Sequence, residues 1–464
     1  MIIYPAGHMA IHWGVIMNII VVGIGNVGFT ATLILSKYHD VMIIDDDKMV
    51  IEKAKSLLNV SVLYGDGTSP KVLESAIRRH GAKAVVSTTG SDENNLLIGM
   101  VSKVIDPSIR TIARIRSPDF VIKTSEKTID DIISPEIITA KKRAELAMLE
   151  NAVDYDAIES MDLALAMFEI TEQHTKVIGK SFLTMSKPDD CSLLALYRND
   201  EIITDCDSVQ LQIGDKMHIL GSPETIDKFN DSLGVFRHTT EVVIIGGGVA
   251  GEYAAKLLES RKRYVKIFEI NHERCSELSK NLNTTIVVNA SGVDPHLLKG
   301  ENVGRADVLI ATTDVDETNL LSCLMGLKLG SNRVISRYSM VEYEDIFDFT
   351  GVRTTVGTFH VVANEITKLL IEDENSIIKM KAEGESLFTA KIDGRSKIVN
   401  QHYGDIKFPD GCRVGCILRN GEKIFPQMDT IFLANDILVV LTYNTNDSKV
   451  SKLLRKDSVM DFGY

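Results

Sequence analysis

Residues 18–28, NIIVVGIGNVG, place Gly23, Gly25 and Gly28 at the spacing G-x-G-x-x-G directly after an apolar run. Glycines so spaced suit the phosphates of a nucleotide. The first permits a tight turn, the second lets backbone approach a pyrophosphate, and the third lets the following helix pack close to the strand. The N-terminus of that helix presents unpaired N–H groups and the positive end of its dipole. Ile24, Asn26 and Val27, with the three glycines, therefore form a candidate phosphate cradle. Asp45 ends the next apolar run, 17 residues past Gly28. A carboxylate there accepts from the 2′- and 3′-hydroxyls of a ribose and repels a 2′-phosphate, which favours NAD or an adenine nucleotide over NADP.

Two further stretches end strands that would open on the same crevice. In YGDGTSP (64–70), Gly65 and Asp66 face the adenine or ribose side. In STTGSDENN (87–95), Thr88 and Thr89 offer hydroxyls and Asn94 or Asn95 an amide. A plainer reading of Ser91 or Asp92 is a helix N-cap. Arg114 ends a fifth strand, where it reaches a phosphate or pairs with an acid of the crevice.

All of this recurs. EVVIIGGGVAG (241–251) repeats the glycine pattern 223 residues on, with Gly246, Gly248 and Gly251 framing Gly247, Val249 and Ala250. Glu269 then stands opposite Asp45, Thr312 opposite Thr88, and Arg337 opposite Arg114. Four blocks in one order at a nearly constant offset mark a duplicated unit. In the second copy YGDGT becomes VNASG; pairing Gly65 and Asp66 with Asn289 and Ala290 removes the adenosine-side acid. The second crevice is then vacant, differently occupied, or a second nucleotide site.

The elements that must position these residues alternate in type. Five apolar segments (18–23, 41–45, 60–64, 83–88, 109–114) are separated by helical ones. That rhythm predicts an α/β fold: two Rossmann-like, doubly wound parallel sheets, each followed by a small α+β subdomain. A charged helix is expected over 134–153, with Pro135 at its start. The short alternating strands LALAMFEI, SLLALYRN, EIITDCDS and DKMHILGS follow it, and SLFTAKID, CRVGCILRN, EKIFPQMD and DILVVLTY match them in the second copy. The expected domains are 17–134, 150–234, 240–360 and 376–458.

Composition narrows the function. The 464 residues are 44% hydrophobic and 25% charged, the range of soluble globular chains. The net charge of −13 argues against non-specific nucleic-acid binding. Six scattered cysteines without C-x-x-C fit a reducing cytoplasm and give no zinc pattern. The apolar stretch 10–29 holds His12, Asn18 and four glycines, so a strand and glycine turn explain it better than a spanning helix, with residues 1–16 an extension. No G-x-S-x-G, H-E-x-x-H or P-loop is present, and His174, His218, His238 and His360 show no partner spacing. The glycine cradle therefore lacks an evident catalytic set. An NAD-dependent oxidoreductase with duplicated folds and a sensor acting on a soluble partner are the rival readings.

The order G-x-G-x-x-G, acid-ended strand, G-D-G-T, T-x-x-D-E-x-N and SPE-type helix resembles the regulator-of-potassium-conductance (RCK or KTN) family. The segment 177–220, with its G-K, R-x-x and G-D, is similar to that family's C-terminal subdomain. The likeness runs from 17 to about 455, and two tandem units resemble the regulatory subunits of Trk-type potassium uptake systems. It implies NAD(H), and ATP or ADP, bound at Gly23–Val27, Asp45, Asp66, Thr88 and Arg114, and again at Gly246–Ala250, Glu269, Thr312 and Arg337. It further implies a homo-oligomeric ring, a tetramer of tandem units. That ring would be cytoplasmic and peripheral at the inner face of the membrane, gating an integral-membrane potassium-translocating subunit. Many members carry an arginine after the second glycine for a terminal phosphate; here Asn26 and Val249 stand there.

Overall fold

The computed structural model describes residues 17–37, 39–117, 128–199, 201–234, 239–340, 343–370, 377–379, 385–443, 450 and 453. The expected extension 1–16 and His238 lie outside them. The first sheet contains β1 (Asn18–Val22), β2 (Asp40–Asp45), β3 (Ser61–Tyr64), β4 (Ala84–Ser87), β5 (Arg110–Arg114) and β6 (Asp131–Ile133). All pairings are parallel, in the order β3-β2-β1-β4-β5-β6. This is the Rossmann order, which reverses direction between β1 and β4 and opens a crevice there. The central strands β1 and β4 are buried along both faces, which is why they read as unbroken apolar runs. Helices α1 (Asn26–Leu35), α2 (Lys48–Leu57), α3 (Pro70–His80) and α4 (Asp92–Ile105) make the crossovers.

The sheet has six strands where five were expected. β6 is three residues long and lies in the acidic stretch just before the SPE helix, so no apolar run announces it. The helix itself, α5 (Pro135–Met148), stops short of the expected 153, because the chain turns at Asn151 and enters a strand. Its last turn is held from outside: Arg333 Nη1 donates to the carbonyls of Leu146 (2.8 Å) and Leu149 (2.6 Å), and its Nη2 to that of Ala152. Cations suit the carbonyl end of a helix.

After α5 comes an antiparallel sheet of β7 (Ala152–Ile158), β8 (Leu163–Glu169), β9 (Cys191–Arg198), β10 (Glu201–Ile203) and β11 (Lys216–Gly221), closed by α6 (Pro223–Ser232). Its order is β10-β9-β11-β8-β7. The second parallel sheet then repeats the first: β12 (Glu241–Ile245), β13 (Tyr264–Glu269), β14 (Ile286–Asn289), β15 (Val308–Ala311), β16 (Arg333–Tyr338) and β17 (Thr354–Gly357), ordered β14-β13-β12-β15-β16-β17. Its helices are α7 (Val249–Ser260), α8 (His272–Asn281), α9 (Pro295–Gly300), α10 (Asp316–Leu329) and α11 (Glu344–Phe349), followed by α12 (Thr358–Leu370). The last sheet, β18 (Ile377–Lys379), β19 (Glu385–Lys391), β20 (Cys412–Arg419), β21 (Glu422–Ile424) and β22 (Ile437–Tyr443), is ordered β18-β19-β22-β20-β21. Read backwards, that is the order of the first antiparallel sheet.

Each antiparallel sheet carries its own copy of one ion pair, made to a buried aspartate. Arg198 donates from Nε and Nη2 to Asp215 at 2.8 and 2.7 Å, and Arg419 does the same to Asp436 at 2.8 and 2.7 Å. Both aspartates are 1% exposed and each also accepts a backbone N–H, from Gln212 or Leu433. The R-x-x and G-D features of 177–220 are thus two ends of one bidentate contact.

The chain forms two compact units. Among the described residues, one comprises those within 17–134, 362–423 and 427–453; the other comprises those within 135–361 and 424–426. In the second unit Ala140, Ala144 and Ala147 of α5 join one core with Ala254, Ala255 and Leu258 of α7 and with the antiparallel sheet through Phe168 and Phe229. Alanines on one face of α5 allow the close helix approach.

Candidate functional site

In the first copy the glycine loop is dictated by sterics. Gly23 takes φ +87°, which a side chain rarely adopts, and a Cβ at Gly28 would lie 2.0 Å from the Gly23 carbonyl oxygen. A Cβ at Gly25 would meet nothing within 4 Å, so that face of the loop is open. Gly25 is also the N-cap of α1 and provides no side-chain acceptor. By contrast Asp47 caps α2, accepting from Met49 at 2.7 Å, and Ser91 caps α4, accepting from Asn94 at 3.2 Å. The first turn of α1 therefore retains its donors at the place a phosphate would occupy.

Asp45 ties this loop to the second strand. Its Oδ2 accepts from the Ile24 N–H at 2.7 Å and its Oδ1 from the Asp47 N–H at 2.9 Å. Each carboxylate oxygen has a second acceptor site, which leaves capacity for ribose hydroxyls. In the second copy Glu269 does the same, accepting from the N–H groups of Gly247 (2.8 Å) and Asn271 (2.7 Å). Gly246 (φ +104°), Gly248 and Gly251 reproduce the turn, the open face and the close contact. Gly248 is again a cap without a side-chain acceptor.

The remaining expected residues divide. Asp66 folds onto its own turn, accepting from Thr68 N (2.8 Å) and Thr68 Oγ1 (2.7 Å), which holds its carboxyl below the usual range. Thr88 is 2% exposed and donates to the Gly23 carbonyl at 2.7 Å, beneath the loop. Thr89 donates to Asn95 Oδ1 at 2.8 Å. Asn95, fully buried, returns bonds to the carbonyls of Thr89 (3.2 Å) and Arg114 (2.8 Å). Asn319 makes the matching bonds to Thr313 and Arg337. These asparagines brace the ends of neighbouring strands rather than face a ligand. Ser91 has the plain capping role, while Asp92 accepts from the backbone of Arg116 and Ser117.

The pairing of the third-strand segments needs one correction. β3 and β14 end at Tyr64 and Asn289, and the amides of Gly65 and Ala290 both bond back to the acid-bearing residue at 3.0 Å. A Cβ on Gly67 would meet Val22 Cγ1 at 2.2 Å, and one on Gly292 would meet Ile245 Cγ2 at 2.0 Å. Gly65 thus matches Ala290, Asp66 matches Ser291, and Gly67 matches Gly292. The second copy carries an extra residue between β13 and β14 that shifts the register. It lacks the acid but keeps the glycine that lets this turn sit on the first strand.

The second crevice encloses a cavity of about 520 Å³. Its floor is the glycine loop with Glu269. One end is walled by Ala290–Val293, the other by Thr312–Val315, Thr318 and Arg337. Thr312 differs from Thr88: its hydroxyl is buried without a hydrogen-bond partner. Arg337 donates to Thr358 Oγ1 (3.1 Å), the Thr313 carbonyl (2.7 Å) and Asp314 (2.6 Å). It therefore does pair with an acid, one that is 98% exposed. Sequence reasoning did not place Glu136, Thr139 and Thr358 in this wall. Glu136, the acid of the SPE stretch, and Thr139 lie on α5 at the end of the first copy, and Thr358 opens α12, so none is part of the second copy's glycine-loop or strand-end motifs. Arg274 was also missed. Its Nε donates to the Gly247 carbonyl at 2.8 Å, and Glu252 and Glu277 hold its other nitrogens.

Among the described residues no group of three histidines, cysteines or carboxylates is placed to hold a metal, and no helix is long and apolar enough to cross a membrane. All six cysteines are buried free thiols. His174 is buried, with Nδ1 accepting from the Thr171 N–H at 2.8 Å and Nε2 beside Asn151 Oδ1 at 3.1 Å.

Two Rossmann-order sheets, each with an open glycine loop, an uncapped helix and an acid bonded to the loop, define a duplicated nucleotide-binding fold whose residues fit NAD or an adenine nucleotide. The family model for the TrkA-N domain matches residues 19–135 and again 242–358, about half of the chain, and the chain belongs to that family. It is 29% identical over 452 residues to Trk system potassium uptake protein TrkA homolog 1 of Methanosarcina mazei, covering 95% of this chain and 100% of the relative. It is 26% identical to the TrkA protein of Azorhizobium caulinodans, covering 95% and 99%. The crystal structure of the GsuK RCK domain superposes with a TM-score of 0.59 at 18% identity, covering 97% of this chain and 98% of that one. The GsuK channel bound to NAD superposes at 0.60 and 17% identity, covering 97% and 81%. The resemblance to RCK proteins and the expected fold are both confirmed.

Proposed function

We propose that this protein is the nucleotide-binding regulatory subunit of a Trk-type potassium uptake system. Its role is regulatory, not catalytic. The observation that carries the reading is the twice-built crevice, in which a helix with free N–H donors faces a carboxylate shaped for ribose. Nothing else in the described crevices has the arrangement of an acid or base poised over a reacting atom. The full-length match to potassium uptake proteins supports the transport context.

The first crevice takes NAD(H) or an adenine nucleotide at Gly23–Gly28 and Asp45, with Gly65, Asp66, Thr88, Thr89 and Arg114 shaping its walls. The second takes one at Gly246–Gly251, Glu269, Thr312 and Arg337. The chain is organised as domains 17–134, 150–234, 240–360 and 376–458, works as a ring-forming homo-oligomer at the inner face of the membrane, and gates an integral-membrane potassium-translocating partner. Ligands act by favouring one arrangement of the ring, which requires unequal affinity for the two arrangements.

Calorimetry of NAD, NADH, ATP and ADP on wild type, Asp45→Ala and Glu269→Ala tests this reading. Each substitution should remove one class of sites, with a loss of roughly tenfold or more in affinity. The full chain should co-purify with a multi-span potassium transporter. Absence of both nucleotide binding and that partner defeats the proposal; hydride transfer from NADH to a small substrate would revive the oxidoreductase reading.

A further inference from the structure

Arg143, on α5, is the largest fully buried side chain among the described residues, with no solvent exposure. Its Nη2 donates to Thr139 Oγ1 at 3.3 Å, and its Nε and Nη1 have no hydrogen-bond partner. Burial and the neighbouring positive charge of Arg337 push its pKa down to about 9, against the pull of Glu136. At neutral pH it is still cationic. Arg143 lies behind the cavity wall rather than in it: its hydrogen-bond partner Thr139 lines the second cavity, as do Arg337, whose charge opposes its own, and Glu136, whose charge favours it. A buried cation with two unmet donors costs free energy unless something compensates it. The equivalent position on α12 is Ile366, so the charge is a feature of α5 and not of the repeated helix.

The cavity has a direction. A nucleotide whose ribose bonds to Glu269 and whose first phosphates lie on the glycine loop points its other end at Arg337 and α5. For oxidised NAD that end is a ribose and a cationic nicotinamide. For a nucleoside di- or triphosphate it is an anion. Glu136 and the exposed Asp314 share that end with the two guanidiniums; an anion that displaces Asp314 from Arg337 is compensated by both arginines, whereas a cationic ring has no such pairing to take over.

Building on the nucleotide reading above, we infer that the second crevice selects a nucleoside polyphosphate over oxidised NAD, and that Arg143, acting with Arg337 at the α5 wall, is the residue that sets this selectivity. The arginine that would have followed the second glycine is Val249 here; on α5 a buried arginine stands behind the Thr139 that lines the cavity.

Titration of the full chain with ATP and with NAD tests this, using wild type and Arg143→Met. The expected result is that one class of ATP sites weakens by roughly tenfold or more while NAD affinity stays within about twofold. The empty Arg143→Met protein should melt no lower than wild type, because an uncompensated buried charge has gone, yet gain less in melting temperature from ATP. Arg143→Gln keeps a polar side chain and should show the same selective loss if the Met variant fails to fold. Equal binding of ATP by wild type and variant overturns the inference, as does a parallel loss of ATP and NAD, which would mark a structural role. Wild type that binds neither nucleotide overturns the functional reading as well.

Discussion

The two crevices of this chain share a backbone and differ in side chains. Both have the left-handed first glycine, the third glycine in contact with it, and the acid on the loop amide. Only the second has Arg274 gripping the loop carbonyl. Val50 occupies that position in the first copy, and Phe29 stands where Glu252 anchors Arg274. The threonine below the loop bonds to backbone in the first copy and turns its hydroxyl, unpartnered, into the wall of the cavity in the second. Duplication kept what the turn requires and let the side chains around it diverge. The third glycine of each loop is fixed because a Cβ there would lie 2.0 Å from a backbone carbonyl oxygen, whereas polar side chains can change one at a time.

The first way to break the comparison is to attack what the copies share. Gly28→Ala and Gly251→Ala each force a Cβ to 2.0 Å from a backbone carbonyl oxygen. Each should lower stability by about 3 kcal/mol or more in urea unfolding. A much smaller loss in one copy would show that its loop is not packed as described.

A smaller effect separates the two antiparallel sheets. His218 on β11 is buried beside Tyr197 OH (3.1 Å), and its counterpart on β22 is Val439. Burial drives the His218 pKa down to about 4, with Asp154 pulling the other way. Folded His218 therefore stays neutral where the unfolded chain takes up a proton. The unfolded state binds more protons, so stability is fully present above the unfolded value of about 6.5 and falls as pH drops toward about 4. The loss over that window is roughly 3 kcal/mol at most. His218→Val should flatten it, as measured by denaturant midpoints at several pH values. An unchanged pH slope would remove His218 as its source.

The smallest expected effect sharpens the contrast between the loops. Arg274→Met removes the grip on Gly247 and should cost about 1 kcal/mol. Glu252, which burial would raise, is held below its usual range by Lys256 and Arg274, and it should rise toward normal in a carboxylate titration by NMR. Nucleotide affinity should fall in the second class of sites only. A fall in both classes would mean that the clamp is not local.

Much of this was legible because it is local. The glycines, Asp45 and Glu269 lie within stretches of a few residues whose spacing states their geometry. What was not legible depended on distance or on length. β6 and β17 are too short and too polar to signal a strand. The one-residue shift before β14 is invisible until Gly67 and Gly292 are seen against Val22 and Ile245. Asn95 read as a ligand group because one of the carbonyls it braces, that of Arg114, comes from the next strand. Arg143 sits in an ordinary charged helix by sequence, and nothing local to that helix says that the fold buries it.

The sequence repeats near residue 240, but the compact units break at 134/135 and 361/362. Repeat and folding unit are out of phase. A gene cut at the repeat would yield two pieces with the right motifs and the wrong halves of a core. The piece lacking 135–148 would leave α7 without the alanine face of α5, and the other would leave that face bare. Fragments meant to isolate either crevice are better cut by packing than by homology, because each compact unit draws on segments from both sides of the repeat boundary.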